Sequence, residues 1–150
     1  MRVQKLYNPL VIRILRSPLH GVMSKSTMLL TFTGRKSARS YTTPVNYVRD
    51  EDDLLVVSSR KHSWWKNLRG GATVTVRVRG KDMRGEAEAF EEEEAEEGLL
   101  VVLRAVPAYR KYWKVELDAN GRPKDPGALR RVAEGNALVR IRGLSEAGRT

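Results

Sequence analysis

Cysteine is absent from the 150-residue sequence, which excludes disulfides, thiolate metal sites and thiol catalysis. Its absence agrees with a reducing compartment, and the expectation is a cytoplasmic protein. Only two histidines occur, His20 and His62, too few and too far apart in sequence for a zinc site, so no metal is expected. No apolar run approaches the roughly 20 residues that cross a bilayer. The stretch VIRIL is broken by Arg13 and no small-residue cleavage site follows it, so neither a membrane span nor a signal peptide is expected. Glycine-rich phosphate loops are missing as well: GRKS at 34–37 lacks the glycine five residues upstream that a P-loop requires. No set of Ser, His and Asp stands out, and His62 beside Ser63 is a sequence neighbourhood that rarely supplies catalytic geometry. The catalytic residue is therefore unassigned, and any redox or group-transfer chemistry would fall to a cofactor.

What the sequence has in excess is positive charge. The formal net charge of +10 implies attraction to polyanions: nucleic acid, an anionic membrane face or a phosphorylated small molecule. Six of the 18 acidic residues sit in EEEEAEE at 91–97, so the remainder of the chain is more basic still. With 41% hydrophobic residues and the length of one ordinary domain, the chain can remove about two thirds of its unfolded surface from water around a single core. No linker or internal repeat divides it.

The order of elements is expected to be as follows. Residues 8–20 read as an amphipathic helix with Asn8 as N-cap, Pro9 in the first turn and Leu10, Val11 and Ile14 on one face, making 1–27 a helical segment ahead of a barrel at 28–150. Strands are expected at 28–33, at 42–49 with Pro44 near its start or on an edge, and at 54–59, an apolar run suited to burial. HSWWKNLRGG holds a short helix with Ser63 as N-cap, stopped at Gly70 and Gly71. Residues 73–80 alternate, with Val74, Val76 and Val78 on one face, and pair as a hairpin with 81–91 through a turn at Arg79, Gly80, Lys81 and Asp82. The acid run opens a helix, where the macrodipole favours negative charge. LDANGRPKDPG is a polar loop, and a last strand runs over 137–142. About six strands and three or so short helices, mostly hairpin-connected, suggest a mainly β, α+β fold: a small antiparallel barrel with helices at its rim.

LLTFTGRKSARSYTTPVNYVR, residues 29–49, concentrates cations and hydroxyls between two strands. Either the turn is a solvated basic loop, or Gly34, Arg35, Lys36 and Ser37 hold an anion, arginine as a bidentate fork, lysine as a mobile charge and the turn as a nest of backbone N–H groups. Together with LLVVSSRKHSWWKNLRGGATVTVRVRG, this stretch resembles the deazaflavin-dependent nitroreductase family, relatives of the flavin-binding split barrels. The shared pattern is TGRKS after a strand, TP in the next, a strand ending in Ser, and W-x-x-N-L before another strand.

The resemblance implies a six-stranded antiparallel split barrel and reduced coenzyme F420 as hydride donor to a quinone, nitroaromatic or conjugated enone. It implies that Thr43, Pro44 and Val45 lie alongside the deazaflavin, with Ser58 and Ser59 reaching the same ligand, and that Trp64 and Asn67 match W-x-x-N. Arg60 and Lys61 join the set as further cations or as an ordinary basic turn, and Trp64 or Trp65 either meets the ligand or fills the core. Tyr109, Tyr112 and Trp113, at helical spacing, form an aromatic wall over a flat substrate or pack their helix. The sequence departs from the family at SSRKHSWW, which lacks the usual glycine pair, and at Ala38, where glycine is frequent. Flavin mononucleotide is the alternative cofactor, and a basic nucleic-acid-binding barrel the alternative class, although nucleic acid is not the expected partner because the aromatics cluster near helices. Peripheral membrane contact through the N-terminal segment and a homodimer stay open.

Overall fold

In the computed structural model, residues 3–5 and 27–146 are described. The helix expected at 8–20, and with it any membrane contact through that segment, lies outside them. Among the described residues, eight strands form one sheet: β1 (Val3–Lys5), β2 (Thr27–Thr33), β3 (Ser40–Asn46), β4 (Val48–Asp50), β5 (Asp53–Ser59), β6 (Ala72–Val78), β7 (Lys81–Phe90) and β8 (Asn136–Glu146). Their order is β1-β3-β2-β6-β7-β8-β5-β4, antiparallel throughout except for the β1–β3 pair. The expected six strands are the six long ones; β1 and β4 add three residues each.

Topology forces the sheet to curl. Tyr47 alone separates β3 from β4, yet these strands stand second and last in the order, so the two ends of the sheet must come together beside that buried tyrosine. The stretch 42–49, read as one strand, is therefore two, each pairing with a different part of the sheet. The curled sheet encloses Met28, Leu30, Phe32, Leu54, Val56, Val74, Val76, Val139 and Ile141, with Trp65 and Leu68 from a 3-10 turn at Trp64–Leu68.

The continuous apolar run of β5 follows from burial on both faces. Leu54 and Val56 face the barrel interior, whereas Leu55 packs with Leu138 under α1 (Glu96–Ala105), α2 (Pro107–Tyr112) and α3 (Ala128–Gly135). Helix α1 lies so close to β8 that a Cβ at Gly98 would stand 1.8 Å from Leu138 Cδ2. The acid run starts as a 3-10 turn at Glu92–Ala95 and continues into α1, and α3 occupies residues that the sequence reading left without an assignment.

The β6–β7 turn is tighter than expected. Only Arg79 and Gly80 lie outside the ladder, both at positive φ (51° and 80°), as a two-residue type I′ turn requires, while Lys81 and Asp82 pair with Val78 and Arg77. Among the described residues no helix is long and apolar enough to cross a membrane, and no group of three or more metal-ligating side chains is assembled.

Candidate functional site

Where β2 ends, residues 34–39 form a turn closed by two backbone bonds: Gly34 N–H donates to the Arg39 carbonyl at 2.8 Å and Ala38 N–H to the Gly34 carbonyl at 2.9 Å. Ala38 sits at φ 57°, in the left-handed region where glycine is favoured. Asn67, from the 3-10 turn, staples this corner. Its Oδ1 accepts the Arg35 N–H at 2.9 Å and its Nδ2 donates to the Trp64 carbonyl at 2.9 Å. The Arg35 guanidinium donates to the Arg69 carbonyl. Arg69 in turn makes a two-pronged pair with Glu91, at 2.8 and 3.0 Å, and lies over the Trp65 ring at 5.0 Å. The Arg69 hydrogen bond, followed by the charge of the same group, holds the Glu91 carboxyl below its ordinary range.

These contacts leave some donors committed and others available. Lys36 and Lys66 make no ion pair with a described residue, and the backbone N–H groups of Lys36 and Ser37 have no described acceptor. A cleft of about 680 Å³ opens over the turn, lined by Phe32, Tyr41, Ser63 and Trp64 and by four cations, Arg35, Lys36, Lys66 and Arg69, with no carboxylate in its wall. Gly34, Ser37 and Asn67 line it too.

Trp64 is also a wall of the next cavity, a slot of about 330 Å³ between Thr43, Pro44 and Val45 of β3 and Val57, Ser58 and Ser59 of β5. Among the described residues β3 is paired on one side only beyond Thr42, which leaves the slot open: Pro44 opposes Leu29 of β2, whereas β1 pairs with Ser40, Tyr41 and Thr42. Proline suits such an edge because it offers no N–H to the ladder. Phe32 supports the junction, its ring 5.6 Å from Tyr41 and 5.9 Å from Trp64. Asn46, His62 and Tyr109 complete the slot.

Asn46, Val57 and Tyr109 are shared with a third, apolar pocket of about 320 Å³, which Val102, Val106 and Tyr112 help to close. Burial pushes the Tyr109 phenol above its ordinary value, and a side-chain hydrogen bond with Asn46 works in the opposite sense.

Of the residues singled out from sequence, Gly34, Arg35, Lys36, Ser37, Trp64 and Asn67 meet in the cationic cleft. Thr43, Pro44, Val45, Ser58 and Ser59 meet in the slot, and Tyr109 and Tyr112 in the apolar pocket. Three stand apart. Arg60 turns to Glu91 (3.3 Å) and Glu92 (3.9 Å), Lys61 is exposed and lines none of the three cavities, and Trp113 stacks on Tyr109 at 4.8 Å from the helical side. Trp65 is a core residue, 1% exposed. Sequence reasoning missed Lys66 and Arg69, whose spacing of three in a short tight helix was the available signal. It also missed Asn46, His62 and Glu91, which nothing local marks.

A curled antiparallel sheet, split where β3 faces β5 and cationic at one end of the split, defines a split-barrel protein. Solved structures agree on the fold. A protein described as a domain-swapped dimer aligns over 89% of this chain and 94% of its own with a TM-score of 0.54 at 22% identity. An F420-H2 dependent reductase aligns over 79% and 95% with a TM-score of 0.52 at 21% identity. A Listeria innocua protein described as a pyridoxamine 5'-phosphate oxidase aligns over 90% and 99% with a TM-score of 0.51 at 13% identity. No curated protein matches the sequence. The family's sequence profile then narrows the class: the F420H(2)-dependent quinone reductase profile matches residues 15–117, and the chain belongs to that family. It is an oxidoreductase whose cofactor is coenzyme F420. The donor set fits that cofactor's phosphodiester and glutamate carboxylates, because the cleft offers cations and unused backbone N–H groups and no carboxylate to repel them.

Proposed function

We propose that this chain reduces a quinone, or a nitroaromatic or conjugated enone of similar shape, with its coenzyme's anionic end in the cationic cleft and its ring along the slot. The observation that carries the reading is continuity: Trp64 joins cleft to slot, and Asn46, Val57 and Tyr109 join slot to apolar pocket. Such a groove suits a long ligand that is anionic at one end and flat at the other, with an apolar acceptor beyond it. Bound reduced F420 supplies the hydride. Lys36 and Lys66 supply mobile charge, the Lys36 and Ser37 N–H groups supply fixed donors, and Asn67 keeps the turn in place. The edge at Pro44, unpaired among the described residues, lets a planar group approach β3, while Trp64 and Val57 flank it with apolar surface. Tyr109, a phenol that keeps its proton at neutral pH and that burial pushes further up, offers its hydroxyl to the acceptor.

Parallel titrations with F420 and flavin mononucleotide test the assignment, followed by turnover of a naphthoquinone with and without an alkyl chain. Tight F420 binding, weak flavin binding and a lower KM for the alkylated quinone are expected. Saturable flavin binding without F420 binding would overturn the reading of the groove.

A further inference from the structure

Among the described residues, two titratable side chains line the slot, His62 and Tyr109, on different elements. His62 follows β5 in a turn where its N–H donates to the Ser59 carbonyl at 3.1 Å, and Tyr109 belongs to α2. The Tyr109 phenol, raised by burial, keeps its proton across the physiological range. The other lining residues are Thr43, Pro44, Val45, Asn46, Val57, Ser58, Ser59 and Trp64, none of which changes charge. In the histidine's own turn, Arg60 is directed to Glu91 and Lys61 is exposed, and the adjoining 3-10 turn contributes Lys66 to the neighbouring cleft. No carboxylate in the slot wall can lock an imidazolium into an ion pair. An imidazole is the side chain type that exchanges a proton between pH 5 and 8, and this one is exposed, so bulk water can recharge it.

We propose that His62 is the general acid of the reduction, protonating the acceptor as it takes up hydride. The inference rests on the reading of the slot as the redox site. In the balanced step the coenzyme is oxidised by loss of a hydride and the acceptor is reduced by gaining it, leaving one negative charge on the oxygen of a quinone or enone. The His62 N–H bond breaks and an O–H bond forms. The electron pair stays on the ring nitrogen as neutral imidazole, and water restores the proton.

The test is His62→Gln, which keeps a polar side chain of similar length at an exposed position and removes titration. In the wild-type holoenzyme, kcat should fall as pH rises through the imidazole range. In the variant it should be pH-independent there and lower by about 100-fold, the small end of general acid contributions because water competes at an open site. Coenzyme affinity should change by less than about twofold, the size of a lost peripheral contact rather than of an anion-binding one. A second readout needs no turnover. With two histidines in the chain, NMR can assign the His62 ring by comparison with the variant, and saturating oxidised F420 should displace its titration midpoint. An unchanged kcat and pH profile in the variant overturns the assignment. So does a loss confined to coenzyme affinity, which would make His62 a binding residue. Failure of wild-type protein to bind F420 at all sinks the reading of the slot as well, and is thereby distinguishable from failure of the acid alone.

Discussion

Replacing Lys36 and Lys66 together with alanine removes the two cleft charges that no ion pair with a described residue holds. Arg35 and Arg69 are poorer targets, since their guanidinium groups are tied to the Arg69 carbonyl and to Glu91 and their loss would disturb the turn itself. An exposed ion pair is worth about 0.2–1 kcal/mol, and a hydrogen bond to a charged group about 1.5–3 kcal/mol. For an ammonium in a half-open cleft we take about 1 kcal/mol each, hence about 2 kcal/mol for the pair and a roughly 30-fold rise in Kd for F420. Salt sharpens the test. As ionic strength rises from about 0.05 M to about 1 M the Debye length shrinks to about 3 Å, and the ratio of variant to wild-type Kd should contract to about threefold or less. Fluorescence titration of the deazaflavin at both salt concentrations reads the effect. Arg79→Ala with Lys81→Ala removes the same formal charge from the β6–β7 turn, which borders none of the three cavities, and should leave Kd within about threefold at low salt. Equal losses in the two double variants would mean that net charge alone attracts the coenzyme, and the cleft assignment would be refuted.

Ala38→Gly relieves a left-handed residue, a gain of about 1–2 kcal/mol, at an entropic cost of about 0.5–1 kcal/mol, so the variant should be more stable by roughly 0.5–1 kcal/mol and melt about 2–4 °C higher. Calorimetry showing no rise would place the strain elsewhere. Glu91→Gln should remove part of the acid limb of stability. Because the folded-state pKa of Glu91 is depressed by the Arg69 hydrogen bond first, its contribution is complete above the ordinary glutamate pKa and disappears as pH falls through the lowered value. The variant should thus be less stable than wild type at neutral pH and converge with it in acid, as followed by thermal unfolding against pH; a gap independent of pH would contradict the pairing.

The parts of the fold legible in sequence are those dictated by a local pattern. The alternation of Val74, Val76 and Val78 and the solid run of β5 each report a burial pattern that the structure reproduces. The passage from β3 to β4 was illegible for the opposite reason: Val45, Tyr47 and their polar neighbours continue one alternation while the chain crosses from one end of the sheet to the other, and pairing partners leave no local trace. The same holds at the site. Trp64 and Trp65 are adjacent and chemically identical, yet one borders the cleft and the other is buried, a difference set by the path of a single 3-10 turn. Glu91 lay hidden in a run of acids whose other members face solvent or the start of α1, since its partners stand 22 and 31 residues away in sequence.

Those partners also explain how so basic a chain can keep selected charge available. The arginines serve largely as struts: Arg69 and Arg60 on Glu91, Arg77 on Asp82, Arg131 on Asp125, and Arg140 bridging Asp50 and Asp53 at 3.1 and 2.9 Å where β8 meets the β4–β5 turn. A planar guanidinium suits that work, because its fork fixes two acceptors at once and loses little freedom in doing so. The unpaired cations of the cleft are lysines. An ammonium on a flexible stem meets a carboxylate or phosphate oxygen wherever it falls, which is what an extended ligand with many rotatable bonds requires, whereas a rigid fork would demand one conformation of it. Among the described residues, Asp50, Asp53, Asp82, Glu91, Glu92 and Asp125 hold arginines in place, while Lys36 and Lys66 line the cleft outside any ion pair, with no carboxylate in its wall.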